Sequence, residues 1–265
     1  MTEQVLVPKD QKTPRVQKPS DIMDGSLKAH LYNPRSGDHS RKVASFSFPI
    51  SKGMTVLDAL LWVNEHQGGG PAFRYSCRMG VCGSCGMMIN GKPRLACETQ
   101  IRDLGSTVEV APLPGFPIVR DIVADFDPFF LHHSNIKPYL IRDASVDHNP
   151  IRIEVFQTEE QLLDYYQFTM CIMCGLCDAV CPIVGTDPEF LGPQALAQAY
   201  RFVADSRDQG WAERARIADT AHGCWDCKLA GSCSAVCPKG VDPALGVQLL
   251  KREVLRGRIS RKPAR

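Results

Sequence analysis

Residues 171–182 read CIMCGLCDAVCP, with Cys171, Cys174, Cys177 and Cys181 spaced C-x2-C-x2-C-x3-C and Pro182 directly behind. This is the bacterial ferredoxin run, in which three thiolates hold a [4Fe–4S] cube and the fourth reaches a second cluster. The bland alternative, a ferredoxin-like zinc site, suits this spacing poorly. Downstream, residues 224–240 read CWDCKLAGSCSAVCPKG and close on the same C-x3-C-P ending. The two runs therefore pair with an exchange of fourth ligands: Cys237 completes the cube of Cys171, Cys174 and Cys177, while Cys181 joins Cys227 and Cys233. The ferredoxin rhythm puts a further cysteine at position 230, where this chain has Ala230. Three thiolates are one short of a cube and enough for [3Fe–4S].

Upstream, CRMGVCGSCGMMINGKPRLAC places Cys77, Cys82, Cys85 and Cys97 as C-x4-C-x2-C-x11-C. The close trio has plant-type [2Fe–2S] spacing, with the fourth cysteine expected to arrive on a strand. A binuclear cluster is wider than one ion, so the loop must curl around it. Gly80, Gly83 and Gly86 suit that task, since glycine allows positive φ and close backbone approach. Zinc ribbons use two short pairs, and a trio with one remote partner fits them badly.

These twelve cysteines are the compositional outlier of a 265-residue chain that is 44% hydrophobic and 23% charged. They are too clustered for a secreted disulfide framework, and thiols in such sets belong in a reducing compartment. A net charge of +2 gives no sign of a nucleic-acid binder. Residues 1–25 are polar, carry Lys9, Lys12, Lys18 and three prolines, and read as a flexible leader without a signal-peptide core. No apolar run reaches the ~18 to 20 residues that span a bilayer.

The chain divides near residue 120. Residues 26–120 read as a small β-rich unit: strands at Leu27–Tyr32 and Val43–Ile50 around a Gly37-Asp38 turn, then a helix capped by Thr55 with Val56, Leu60 and Val63 on one face. Gly68-Gly69-Gly70-Pro71 ends that helix, and strands return at Met87–Ile89, Arg94–Gln100 and Val108–Val110. Residues 121–257 read helical, clearest at Thr158–Phe168, Pro193–Ser206 and Trp211–His222. A last helix starts with Asp242 as cap and Pro243 in the first turn and ends near Gly257. Residues 258–265 form a basic tail; from Lys251 onward the chain holds seven Lys or Arg against Glu253 alone.

From about Leu27 to Leu255 the sequence resembles the iron–sulfur subunits of succinate dehydrogenase and quinol:fumarate reductase. The resemblance rests on SCRMGVCGSCGMMINGKPRLAC, NIKPY, CIMCGLCDAVCP, DPEFLGP, AYRFVADSRDQG and CSAVCPKGVDP. It implies an α+β protein, with an N-terminal β-grasp plant-type ferredoxin domain followed by an α-helical dicluster ferredoxin-like domain. It implies electron transfer through [2Fe–2S], [4Fe–4S] and [3Fe–4S] clusters between a flavoprotein subunit, which holds FAD and the succinate/fumarate site, and a membrane quinone. Membrane-anchor subunits, with or without haem, would then hold the chain peripherally at the cytoplasmic face of the inner or plasma membrane. The absence of a G-x-G-x-x-G fingerprint agrees with the flavin lying elsewhere. Pro182, Trp225, Lys228 and Lys251 are the residues that the resemblance places at the quinone edge. Ile183-Val184-Gly185-Thr186 after Pro182 is closer to the fumarate-reductase subgroup and points to menaquinone.

Cys224 has no counterpart in the family pattern and reads as an inert buried thiol, with a fourth ligand to the Cys181 cluster as the alternative. His30, His39, His66, His132, His133, His148 and His222 form no spaced ligand set and are expected at the surface or at caps. The basic tail is expected to be solvated or to meet anchor subunits or anionic headgroups. Two rival functions remain at this stage: a dicluster subunit of another flavin dehydrogenase, such as a thiol-driven fumarate reductase, and a zinc-stabilised interaction module.

Overall fold

A computed structural model of the chain describes residues 23–36, 41–142 and 155–260. Most of the expected leader, the Gly37-Asp38 turn, His39, His148 and residues 261–265 lie outside them.

Alternating burial builds the N-terminal sheet. In β1 (Met23–Leu31) Leu27 and Ala29 are buried, and in β2 (Lys42–Ile50) Phe48 joins them on the core side. Strand β1 begins within the segment expected to be leader, because Met23 and Asp24 already pair with Ile50 and Pro49. With β3 (Gly86–Ile89), β4 (Lys92–Leu95) and β5 (Thr107–Ala111) the sheet runs in the order β2-β1-β5-β3-β4. Strands β1 and β5 are parallel and the other pairs antiparallel. Helix α1 (Val56–His66) buries Val56, Leu57, Ala59, Leu60 and Val63. Thr55 and Asp58 close a reciprocal capping box at its start, as the sequence predicts.

Two expectations fail here. The strand expected over Arg94–Gln100 stops at Leu95, because Glu98 and Thr99 both donate N–H to the Leu95 carbonyl and turn the chain. Cys97 therefore sits on a turn. The helical reading from Asp121 is also early, since β6 (Ile118–Arg120) and β7 (Val123–Ala124) form a hairpin first. Asp121, at φ 49°, fixes that hairpin to the first unit by accepting from Tyr32 N and Ala72 N, each at 2.9 Å.

Helix α2 (Asp127–Asn135) opens the helical unit. The single helix expected over Thr158–Phe168 is split into α3 (Glu159–Leu163) and α4 (Tyr166–Thr169). The break buries the Tyr165 ring, whose hydroxyl donates to Gln157 Oε1 at 2.8 Å. The short helix α5 (Leu176–Ala179) leads to α6 (Gly192–Ala204), the hub, which is buried along most of its length. Around it lie α7 (Trp211–Ala218), the short α8 (Ser232–Ala235) and α9 (Pro243–Ser260). Asp242 caps α9 by accepting from Leu245 N at 2.9 Å. Arg214, fully buried, pairs with Asp208 at 2.7 Å and donates to the carbonyls of Ile136, Lys137 and Tyr139. That is what the NIKPY segment is folded around. The N-terminal core continues without a gap into Cys174, Leu176 and Ala179, so the cysteine run at 171–181 lies at the seam between the units.

Candidate metal centres

The Cys77–Cys85 loop curls because Arg78, Gly80 and Gly83 all take positive φ, at 59°, 68° and 74°. The curl turns backbone N–H groups inward onto sulfur. Cys77 Sγ accepts from Met79, Val81 and Cys82 at 3.3–3.4 Å, and Cys97 Sγ accepts from Gly80 at 3.3 Å. These amide donors escape a reading of side chains, and only the loop glycines hint at them. The Ser84 hydroxyl is the main influence holding the Cys82 thiol down, at about 6, whereas burial pushes Cys85 up to about 12. Met79 and Val81 on the loop's outer edge are exposed.

Gly83 is where this loop meets the second centre. A Cβ there would lie 2.9 Å from the Cys174 Cα and from the Ile172 carbonyl oxygen. Only glycine, at φ 74°, lets the two cysteine loops touch backbone to backbone.

Cys171, Cys174, Cys177 and Cys237 line one cavity, together with Gln194, Gln198 and Val241. Cys181, Cys227 and Cys233 line another, together with Pro182, Lys228 and Ala230. Four of the seven cysteines thus lie around one cavity and three around the other. Burial raises the thiols of Cys171, Cys174 (to about 11), Cys177, Cys181 and Cys233. Among the described residues no three Cys, His, Asp or Glu converge tightly enough for a single metal ion. Four thiols around one cavity and three around the other are the donor chemistry of iron–sulfur clusters.

The two runs repeat in backbone as well as in sequence. Met173 and Leu229 have φ 52° and 58°, Gly175 and Gly231 have φ 74° and 73°, and the four-residue helices α5 and α8 follow. By this repeat Ala230 occupies in the third centre the place that Cys174 occupies in the second. Cys224 is fully buried in the apolar core of the helical unit, apart from the lining of the Cys181–Cys227–Cys233 cavity.

The four quinone-edge candidates gather around the Cys181–Cys227–Cys233 cavity. Pro182 and Lys228 line it, Lys251 Nζ donates to the Cys227 carbonyl at 3.0 Å, and Lys251 lies 6.0 Å from the Trp225 ring centroid. The Trp225 indole N–H is engaged by Asp219 at 2.7 Å. Three histidines, among them His30 with Glu109 at 2.8 Å, are partly buried where the surface or a cap was expected. His132 and His133 are half-buried, and His133 Nδ1 faces the amide of Gln194 at 3.1 Å. His222 pairs instead with Asp187 and Glu189, at 2.7 and 3.0 Å.

A β-grasp unit with a [2Fe–2S] loop, joined to a helical unit with two interlocked ferredoxin runs, defines a multi-cluster electron carrier. Comparison with known proteins narrows the class. A family model described as a 2Fe-2S iron-sulfur cluster binding domain matches residues 26–131, and a 4Fe-4S dicluster domain matches residues 167–241. A fumarate reductase iron-sulfur subunit of Mycobacterium tuberculosis is 45% identical, covering 78% of this chain and 83% of that protein. The Haemophilus influenzae fumarate reductase iron-sulfur subunit is 41% identical over 84% of this chain and 90% of its own length. A succinate dehydrogenase iron-sulfur subunit of Coxiella burnetii is 37% identical over 84% and 94%. Among solved structures, a chain of the Mycobacterium smegmatis Sdh1 complex in the apo form superimposes with a TM-score of 0.80 at 26% identity, over 91% of this chain and 99% of that one. The chain belongs to the family of fumarate reductase and succinate dehydrogenase iron–sulfur subunits, and its role is electron transfer.

Proposed function

We propose that the chain conducts electrons between FAD on a flavoprotein subunit and a membrane quinone through three centres in series. Cys77, Cys82, Cys85 and Cys97 would hold [2Fe–2S], Cys171, Cys174, Cys177 and Cys237 would hold [4Fe–4S], and Cys181, Cys227 and Cys233 would hold [3Fe–4S]. When bound, these clusters supply one-electron redox chemistry. The observation that carries the reading is the repeat that sets Ala230 in the place of Cys174, since a methyl group leaves one corner of the third cluster without a ligand.

The chain's own groups do three things. The loop amides of Met79, Gly80, Val81 and Cys82 donate to sulfur and favour the more electron-rich state of the first centre. The close approach at Gly83 would set the first centre beside the second, and the exchange of Cys181 and Cys237 would set the second beside the third. At the far end the exposed Pro182, Lys228 and Leu229 leave the third centre near the surface, which suits delivery to a quinone. Lys251 and Trp225 border the same edge. The loop at Ile183–Thr186 supports menaquinone as the acceptor.

No helix among the described residues is long and apolar enough to cross a membrane. In this reading anchor subunits hold the chain at the cytoplasmic face, with the basic C-terminal end helping to dock. Potentiometric titration of the purified complex followed by electron paramagnetic resonance tests the reading. Three distinct centres are expected, and zinc without iron in anaerobically kept material would refute it.

A further inference from the structure

In the first turn of α6, among buried small and apolar neighbours, Gln194 keeps a long polar side chain that is only 2% exposed. Its Nε2 lies 3.8 Å from Cys171 Sγ and 3.1 Å from His133 Nδ1. Its Oε1 is buried and has no hydrogen-bond partner among the described residues. A buried orphan carbonyl is unfavourable, so the arrangement needs a reason. The two acceptors supply one. A cluster-bound thiolate has no proton and can only accept, so the amide must turn an N–H toward Cys171. Burial favours the uncharged form of His133, and in the tautomer with its proton on Nε2 the Nδ1 accepts the second N–H at 3.1 Å. Both N–H bonds are then committed and the carbonyl is left over. Gln198 lines the same cavity, but its amide donates to the Phe168 carbonyl at 2.8 Å.

We propose that Gln194, oriented by His133, raises the reduction potential of the cube held by Cys171, Cys174, Cys177 and Cys237 by donating an N–H to Cys171 Sγ. Reduction adds negative charge that spreads onto the sulfurs, so a donor there stabilises the reduced state more than the oxidised one. Gln194 is a positioning residue in this scheme: it touches the ligand sulfur and not the iron. The proposal rests on the ligand assignment made above.

The test is a redox titration of the whole complex, wild type against Gln194→Leu, which keeps the bulk and removes the donor, with each centre followed by electron paramagnetic resonance. The cube's midpoint should move to lower potential in the variant, while those of the other two centres stay in place. Gln194→Ala should move it in the same direction, and His133→Phe, which removes the orienting acceptor, by a smaller amount. An unmoved cube midpoint in Gln194→Leu, with all three centres assembled, overturns the proposal. So does loss of the cube in both Gln194→Leu and Gln194→Ala, which would make the residue an assembly determinant. Absence of a [4Fe–4S] centre from the wild type would instead overturn the ligand assignment.

Discussion

Ala230 is a single methyl group on which the chemistry of the third centre turns. The ferredoxin rhythm and the backbone repeat both place a ligand there, and alanine cannot coordinate iron. Ala230→Cys should supply the missing thiolate and convert the centre to [4Fe–4S]. The oxidised [3Fe–4S] resonance should then vanish, and electron delivery to quinone should slow. Reduction of an artificial acceptor at the flavin should change little. Full retention of the [3Fe–4S] signal in the variant would contradict the ligand count. Cys224→Ser should leave all three centres intact, because that thiol is packed among core side chains. Its cost is that of a buried hydroxyl, on the order of 1–3 kcal/mol in denaturant unfolding. Loss or conversion of the third centre would make Cys224 a ligand. The cysteine sets were legible because a cluster's width dictates ligand spacing along a loop. The Gln194–His133 pair was not, because α2 and α6 meet only in the tertiary fold and neither residue belongs to a spaced motif.

Among the elements, the loop at Gly83 and the clasp at His222 carry separate predictions. Gly83→Ala must take φ 74° with a side chain and push its Cβ against the Cys174 backbone. The loop should move off the cube, lowering the rate of transfer from the first centre to the second while both still assemble. Rapid-freeze kinetics of the two resonances would show it, and wild-type rates would refute it. His222 ties the loop after Cys181 to the segment before Cys227 through Asp187, whose hydrogen bond raises the imidazole's pKa. A raised folded-state value means that this stabilisation is complete below the ordinary histidine pKa and is lost as pH rises through the higher folded value. The melting temperature of the wild type should therefore fall more steeply with rising pH across that window than that of His222→Gln. Parallel curves would show that the clasp contributes nothing. Strands and helices with clear periodicity, such as β2 and α1, were readable in advance from alternation and the Thr55–Asp58 box. The end of β4 at Leu95 and the break at Tyr165 were not. A turn fixed by two backbone bonds to one carbonyl, and a ring swung into the core, leave no local pattern.

At the scale of the whole molecule, the N-terminal core runs into the Cys174 loop, so the units are fused where the first two centres meet. The cavity lined by Cys181, Cys227 and Cys233 lies beside exposed Pro182 and Lys228 and against Ala244 and Val247 of α9. Deleting residues 257–265 should leave iron content intact and weaken retention on membranes, more so at raised salt, since the attraction is screened there. Equal retention at every ionic strength would assign the tail to solvent alone. Three centres in series is the central claim. Iron and acid-labile sulfide analysis of the anaerobically purified complex, combined with electron paramagnetic resonance from the fully oxidised to the fully reduced state, tests it most directly. The account predicts a [3Fe–4S] resonance in the oxidised protein that disappears on reduction, a [2Fe–2S] resonance that appears, and a cube that reduces at lower potential. An oxidised protein with no [3Fe–4S] signal, or a metal content dominated by zinc, would contradict it.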